Sequence, residues 1–268
     1  MKVPILSLQK TEMAKKDLPV VFTKKVRSDL VKRAVLAIKA NSRQAYGADP
    51  RAGMKQLGDL SRRRHDYKGS YGHGISRVPR KILTHRGTRF YWVGAVMPGT
   101  VGGRRAHPPK TEKNWSQKVN KKERKQALQS ALAATMIKEA VKLCGHKVPD
   151  NYPFVVESKF EDLAKTKQVI TVLEKLGLKE ELDRTNKRKT RGGKTKLRGR
   201  KYKKARGPLF IVSKACKLQK AAKNIPGVEI MDVKNINTEM LTHNIRPGRM
   251  TIFTDAAIDL ITKEKLFE

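Results

Sequence analysis

Cysteine is nearly missing: Cys144 and Cys216 are the only two in 268 residues. They are too few and too far apart for a disulfide framework, and an intracellular, reduced protein is the simple expectation. No apolar run approaches the ~18 residues that suggest a membrane span. The opening Met1-Lys2-Val3-Pro4-Ile5-Leu6-Ser7 lacks the apolar stretch of a signal peptide. Aromatics are 6% and hydrophobic residues 38%, enough for one real core but not for a chain packed throughout. The largest shortfall is in acids, with 24 Asp and Glu against 61 Lys and Arg, a net charge of +37. Such a charge disfavours a compact state through self-repulsion unless a polyanion meets it.

Motifs of catalysis and metal binding are also missing. A dinucleotide fingerprint needs G-x-G-x-x-G between the first strand and its helix. After Leu8 no glycine comes until Gly47, and the one G-x-G, Gly72 to Gly74, has Arg77 where the third glycine belongs. Gly193-Lys194-Thr195 resembles the end of a P-loop, but Arg188 holds the first glycine's place and no strand precedes it. Histidines 65, 73, 85, 107, 146 and 243 form no i,i+3 or i,i+4 pair. Cys144 and His146 lack a second ligand pair, so no metal and no cofactor is expected. Cys144 reads as a buried helix residue and His146 as a polar turn residue. Glu161-Asp162 and Glu180-Glu181-Asp183 read as helix-terminal or solvated charges.

What is present is cation, concentrated in two places. Residues 42–107 hold 11 of the 19 glycines and 14 Lys and Arg against Asp49, Asp59 and Asp66, a net +11. Residues 186–206 carry 12 Lys and Arg in 21 residues with no acid, a net +12. Neither has the amphipathic period of a membrane-surface helix, so nucleic acid is the favoured polyanion and no membrane partner is expected. The alternative for such runs is a disordered tail that holds anions without specificity. Against it, residues 42–107 contain turn signals and interleaved aromatics (Tyr67, Tyr71, Phe90, Tyr91, Trp92) suited to stacking on unpaired bases. A loop of that length inside a domain is functional or disordered until bound. Guanidinium groups pair bidentately with phosphate, and glycine permits close backbone approach. The expected RNA contacts of the first segment are Arg43, Tyr46, Arg51, Lys55, Arg62, Arg63, Arg64, Lys68, Arg77, Arg80, Lys81, Arg86, Arg89, Tyr91 and Trp92, followed by Lys110 and Lys113. Those of the second are Lys187, Arg188, Lys189, Arg191, Lys194, Lys196, Arg198, Arg200, Lys201, Tyr202, Lys203, Lys204 and Arg206. Gly72-His73-Gly74-Ile75-Ser76-Arg77-Val78-Pro79-Arg80 is the expected tip. Trp115 fits either a core or an RNA platform.

The rest of the chain alternates short apolar strands with helices. Strands are expected at Val3–Leu8, Pro153–Glu157, Leu209–Ser213, Val228–Val233 and Met250–Thr254. Ser28 opens a helix with Leu30, Val31, Ala34, Val35 and Ile38 on one face, ending near Asn41. Asn120 with Glu123 suggests a capping box before a helix that buries Ala127, Leu128, Ala131, Leu132 and Thr135, and whose stripe runs on through Ile137 and Val141 to a stop at Gly145. Val169, Val172, Leu173 and Leu176 form a helix face closed by Gly177. Lys214–Asn224 is a helix, and Thr254 caps the last, with Ala257, Ile258 and Ile261 inward. This rhythm implies an α/β fold, a single Rossmann-like domain with a mostly parallel sheet covered on both faces. A long extended basic internal loop and a second basic insertion complete it. The expected organisation is a globular body of 1–41 and 108–268, a penetrating loop at 42–107 and a basic insertion at 186–206.

Two stretches resemble a known family. One is Val101-Gly102-Gly103-Arg104-Arg105-Ala106-His107-Pro108-Pro109-Lys110-Thr111-Glu112-Lys113, leading through Asn120-Lys121-Lys122-Glu123 to Ser130-Ala131-Leu132-Ala133-Ala134-Thr135. The other is Arg33-Ala34-Val35-Leu36-Ala37 to Asn41, followed by Gln44-Ala45-Tyr46-Gly47-Ala48-Asp49-Pro50. They are similar to the archaeal branch of the universal large-subunit ribosomal protein "L-four" family, as are Arg198-Gly199-Arg200-Lys201-Tyr202-Lys203 and Pro247 to Thr254. The ending at Glu268, without the long extension of eukaryotic members, fits the archaeal type. The resemblance implies a structural, non-enzymatic constituent of the large ribosomal subunit in the cytoplasm, which binds rRNA early and aids assembly. It implies Gly102, Gly103, Arg104, Arg105 and His107 as rRNA contacts at the loop's base. It also implies a tip, Gly72, His73, Gly74, Ile75, Ser76 and Arg77, at the nascent-peptide exit tunnel. Large-subunit rRNA, neighbouring large-subunit proteins and the nascent polypeptide would be the partners, with no homo-oligomer. The family's tips are often richer in Gly and Arg where this chain has Tyr71, His73 and Ile75. The alternative is an RNA-modifying or nucleotide-binding enzyme on a Rossmann-like scaffold; a third possibility is a regulator of its own messenger. In RNA-free protein, limited proteolysis should cut first between Gly47 and Gly103 and leave the body intact; uniform resistance of the chain would refute a loop that is ordered only by RNA.

Overall fold

The runs Val155–Val156, Leu209–Val212 and Thr251–Thr254 have no exposed residue, as strands covered on both faces require. They form the middle of the sheet. The computed structural model describes residues 1–267. In chain order the elements are β1 (Lys2–Leu6), β2 (Glu12–Asp17), α1 (Ser28–Asn41), β3 (Arg80–Arg86), β4 (Arg89–Gly94), α2 (Lys121–Thr135), α3 (Lys138–Leu143), β5 (Val155–Val156), α4 (Thr166–Lys175) and α5 (Lys179–Asn186). Then come β6 (Lys189–Thr190), β7 (Tyr202–Lys203), β8 (Leu209–Val212), α6 (Lys217–Ala222), β9 (Glu229–Asp232), β10 (Thr242–His243), β11 (Arg246–Pro247), β12 (Thr251–Thr254) and α7 (Asp255–Lys263). The chain divides into two compact units, 1–41 with 116 onward, and 42–115.

In the first unit, among the described residues, a six-stranded sheet runs β2-β1-β5-β12-β8-β9. β2 is antiparallel to β1, and the other neighbours are parallel. The fold is therefore mixed α/β with a mostly parallel central sheet. Alternate residues along each strand enter opposite cores. Val155, Leu209, Ile211 and Phe253 join Val31 and Val35 of α1, Leu132 of α2 and Ile258 of α7. Val156, Phe210, Val212 and Ile252 join Val169 and Leu173 of α4 and Leu218 of α6. Full burial of each such side chain contributes about 1.5–3 kcal/mol. Pro4 sits in β1 opposite Lys15 of β2, while pairing with β5 begins only at Ile5, so its missing N–H costs no ladder bond there. The unit's two chain ends at the 42–115 excursion are tied together. Asn41 Nδ2 donates to Gln117 O at 3.3 Å, and Asn41 Oδ1 accepts from Gln117 N at 2.8 Å.

Several expectations are corrected. Asn120 makes no side-chain cap, and Glu123 accepts from Arg33 Nη1 of α1 at 2.9 Å instead of closing a capping box. Thr254 makes no cap bond either; its hydroxyl donates to Glu161 Oε1 at 2.6 Å. The stripe from Ala127 to Cys144 is not one helix. Tyr152 Oη takes the Thr135 carbonyl, and Ile137 turns extended (φ −91°, ψ 107°) and lies 44% exposed before α3 begins. No periodicity announces β2, since Glu-Met-Ala-Lys-Lys-Asp has no alternating apolar face; it is a polar edge, and its Lys16 pairs with Asp255 and Asp259 of α7.

Glu161 and Glu181 are not solvated charges. Glu161 accepts from Ser213 N (2.9 Å), Ser213 Oγ (2.6 Å) and Thr254 Oγ1, tying together the carboxyl ends of β8 and β12. Glu181 in α5 is fully buried and accepts from Arg184 Nε (2.8 Å), Arg184 Nη2 (2.6 Å) and Lys147 N (2.9 Å), with His146 Nδ1 at 2.6 Å. His146 is thus a buried partner and not a turn residue. Burial pushes the Glu181 carboxyl up, but Arg184, His146 and the Lys147 amide pull it further down, below the ordinary carboxylate range. Glu181→Ala strands Arg184 and His146 and should cost about 3–5 kcal/mol in urea unfolding at neutral pH. The carboxylate's contribution is present above its unfolded pKa of about 4.3 and lost as pH falls through the lower folded value. The gap between parent and variant should therefore shrink in acid.

Candidate nucleic-acid interface

Within residues 42–115 the chain is not structureless. Arg80-Lys81-Ile82-Leu83-Thr84 and Phe90-Tyr91-Trp92-Val93 pair as the antiparallel hairpin β3–β4 across the two-residue link Gly87-Thr88. That link between two β-rich runs was the available signal, masked by the surrounding charge. The register sets Arg86 opposite Arg89 and stacks Phe90 on Trp92 with ring centres 5.2 Å apart. Tyr67 meets the Phe90 edge at 5.2 Å. The preceding turn is built by Asp66, which accepts from Ser61 Oγ (2.6 Å) and Tyr67 N (2.8 Å), leaving Arg62, Arg63 and Arg64 exposed. Tyr71 carries Arg77 at 4.4 Å and Arg64 at 5.9 Å over its ring. Gly72, His73, Gly74, Ser76 and Arg77 are exposed and Ile75 is half-buried.

Most of the expected contacts lie in the open. Arg43, Tyr46, Arg51, Arg86, Arg89, Tyr91, Gly102, Arg105, His107, Lys110 and Lys113 are exposed. Others are already engaged. Lys55 pairs with Asp49 at 2.7 Å and Lys68 with Asp59 at 3.2 Å. Lys81 Nζ donates to Gln56 at 3.1 Å, and Arg80 donates to Val78 O and Ser76 Oγ while lying 5.4 Å from the Trp92 ring centre. Trp115 belongs to this unit. It stacks on Tyr46 (5.8 Å, 17°) under Arg43 at 3.7 Å and Lys113 at 4.3 Å. Ala48 N donates to Pro109 O at 3.0 Å, so the outgoing and returning chains touch.

Gly103 is half-buried, and its place is dictated by packing. A Cβ there would lie 2.2 Å from Met97 O, and the next residue's N–H, Arg104, donates to Val96 O at 3.0 Å. Gly53 meets the same stretch of backbone, with Arg104 N 2.5 Å from its would-be Cβ.

Residues 186–206 form a second ribbon. β6 and β7 place Lys189 opposite Lys203, and Arg191 N donates to Lys201 O at 2.9 Å. From Lys187 to Lys204 every side chain is exposed. Tyr202 lies beneath Lys201 (5.4 Å) and Arg188 (5.9 Å). The ribbon's end borders a cleft of about 510 Å³ in which Lys39, Arg184, Lys203, Lys204 and Arg206 outnumber one acid, Glu239, with His243 beside them. No local pattern announces Lys39 and Arg184, which lie on helices α1 and α5 and reach the ribbon only through the fold. Arg206 is partly spent within the protein, 3.6 Å from Glu229 and donating to Glu239 O. Burial, then the His146 ring, Arg184, Arg249 and Arg206, holds the His243 imidazole down to about 4, so it joins the cleft uncharged at neutral pH.

Gly103→Ala should open the 96–104 turn, and Gly102→Ala, whose φ is +77° but whose Cβ meets only the Gln56 side chain at 3.1 Å, should do so less. The expected costs are about 1–3 kcal/mol and about 1 kcal/mol. Hydrogen exchange at the Arg104 amide measures both, and equal protection in the two variants would refute the packing account.

The sequence comparisons agree with one another. The chain matches the model of the ribosomal protein L4/L1 family over residues 17–264. It is 45% identical to the large ribosomal subunit protein uL4 of Nanoarchaeum equitans over 268 residues, all of both chains. It is 39% identical to uL4 of Archaeoglobus fulgidus over 97% of this chain and 98% of that protein. With uL4 of Methanocaldococcus jannaschii it shares 41% identity over 97% of each chain.

Proposed function

This chain belongs to the ribosomal protein L4/L1 family, and from that premise we propose that its two basic segments are its seats on large-subunit rRNA. It is a structural constituent of the large ribosomal subunit in the cytoplasm and not an enzyme. The observation that carries the RNA reading is the facing of like charges across both ribbons, Arg86 against Arg89 and Lys189 against Lys203. Like charges directly opposite in an antiparallel pair destabilise it. Closely spaced phosphates reverse the sign of that term, and an extended anionic backbone supplies them at both ribbons.

In this reading the exposed cations of 42–107 and 186–206 neutralise phosphates, with Arg104, Arg105 and His107 acting beside the Gly102-Gly103 turn. Lys55 and Lys68 contribute less, since each must first give up an acidic partner. The first unit, 1–41 with 116 onward, is a Rossmann-like scaffold. Glu161 supports its use as a scaffold: a carboxylate at the carboxyl ends of β8 and β12 repels the phosphate that a nucleotide site there would bind. The turn Gly72 to Arg77 reaches the nascent-peptide exit tunnel, where the growing polypeptide passes. Neighbouring large-subunit proteins are the further partners, binding to rRNA comes early in assembly, and no homo-oligomer is required.

Neutralising many phosphates releases many counterions, with a slope of log affinity on log salt of about −0.7 to −0.9 per phosphate. Titrating the full chain with a large-subunit rRNA fragment over a salt series should give a slope on the order of −6 or steeper. Replacing the cations of 186–206 by glutamine should flatten it. A shallow slope in the parent would end the reading.

A further inference from the structure

We propose that the cleft at Tyr46 and Trp115 is a pocket for one unstacked nucleotide of single-stranded RNA. The proposal rests on the RNA reading and names where a base, as opposed to a phosphate, is held. The cleft measures about 630 Å³ and is lined by Tyr46, Arg105, His107, Glu112, Lys113 and Trp115, with Pro108 and Pro109 forming a stiff wall. That lies within the roughly 300–1,000 Å³ of small-ligand sites.

The stack has an inner and an outer member. Trp115 is covered by Arg43 at 3.7 Å and by Lys113 at 4.3 Å, and it stacks on Tyr46 with the rings 17° from parallel. Tyr46 is 50% exposed. The phenol is therefore where the next flat ring adds to the column, and a base is the flat ring that RNA offers. Trp115 Nε1 is excluded from solvent and has no acceptor among the described residues, a donor that the cluster itself leaves unpaired.

The rim fits a nucleotide. Arg105, Lys110 and Lys113 line the same cleft and supply the cations that a nucleotide's phosphate calls for. Glu112, the one acid of the lining, can only accept hydrogen bonds. A guanine edge, with adjacent imino and amino donors, gives that carboxylate two bonds where uracil gives one. Duplex RNA keeps its bases stacked inside and cannot fill the pocket.

The test uses full-length Trp92→Phe, which leaves Trp115 as the sole tryptophan. A labelled uridine oligonucleotide with one central guanosine is titrated in, and anisotropy is read beside Trp115 fluorescence; a blunt RNA duplex is the comparison. Quenching of Trp115 with the same midpoint as the anisotropy, for the single strand and not for the duplex, is the expected result. Adding Tyr46→Ala should weaken single-strand binding roughly tenfold or more, and Tyr46→Phe should restore it, because the ring and not the hydroxyl does the stacking. If anisotropy reports binding while Trp115 stays unchanged and Tyr46→Ala binds like its parent, the pocket is refuted and the RNA reading stands. If neither RNA binds even at low salt, the RNA reading fails and the pocket with it.

Discussion

Repulsion among like charges governs how this molecule is built. A net +37 spread evenly over one body would press that body apart. The chain keeps its buried layer nearly free of cations and carries the excess on two segments that contribute little to the core. Where a cation is buried, a carboxylate goes with it. Arg249, fully buried, is met by Glu229 at 2.6 Å, and Arg184 is met by Glu181. Two acids thus stand beside cations that the fold takes wholly or partly out of water, while the ribbons 80–94 and 186–206 carry none.

The middle of the sheet could be read from the sequence because its strands bury both faces. Leu209–Val212 and Thr251–Thr254 are short apolar runs between turn signals, and the helices that cover them keep a stripe every three to four residues. What escaped was whatever the backbone decides without an apolar period. The polar edge strand β2 pairs through its N–H and C=O groups. The break between α2 and α3 is set by a hydroxyl from Tyr152, distant in sequence. The roles of Glu161 and Glu181 depend on partners dozens of residues away, which no local pattern announces.

The candidate interface divides in the same manner. Its cations were readable from composition, since a run of Lys and Arg without acids needs no fold to be recognised. Which of them remain available was not, because Lys55, Lys68 and Lys81 are engaged by neighbours that only the turns of 42–115 bring near. Gly103 shows the limit of motif reasoning. The residue type was identified through a resemblance, yet a close approach to a carbonyl oxygen is sufficient reason for glycine there. Trp115, undecided between core and platform, lies at the centre of an aromatic and cationic cluster that spans Arg43 to Lys113.

The reciprocal pair between Asn41 and Gln117 has a consequence for the entropy of the long excursion it closes. Bringing together the ends of a flexible chain as long as 42–115 costs about 4 kcal/mol on a logarithmic length scale. That cost is met when the first unit folds and one side-chain amide holds both exits. An excursion that enters a partner with its ends already joined has less configurational freedom to lose than a free tail of the same composition. The same logarithm makes its length inexpensive to change: doubling the excursion adds only about 0.6 kcal/mol to closure. Reach can therefore vary widely while the body that anchors it stays the same.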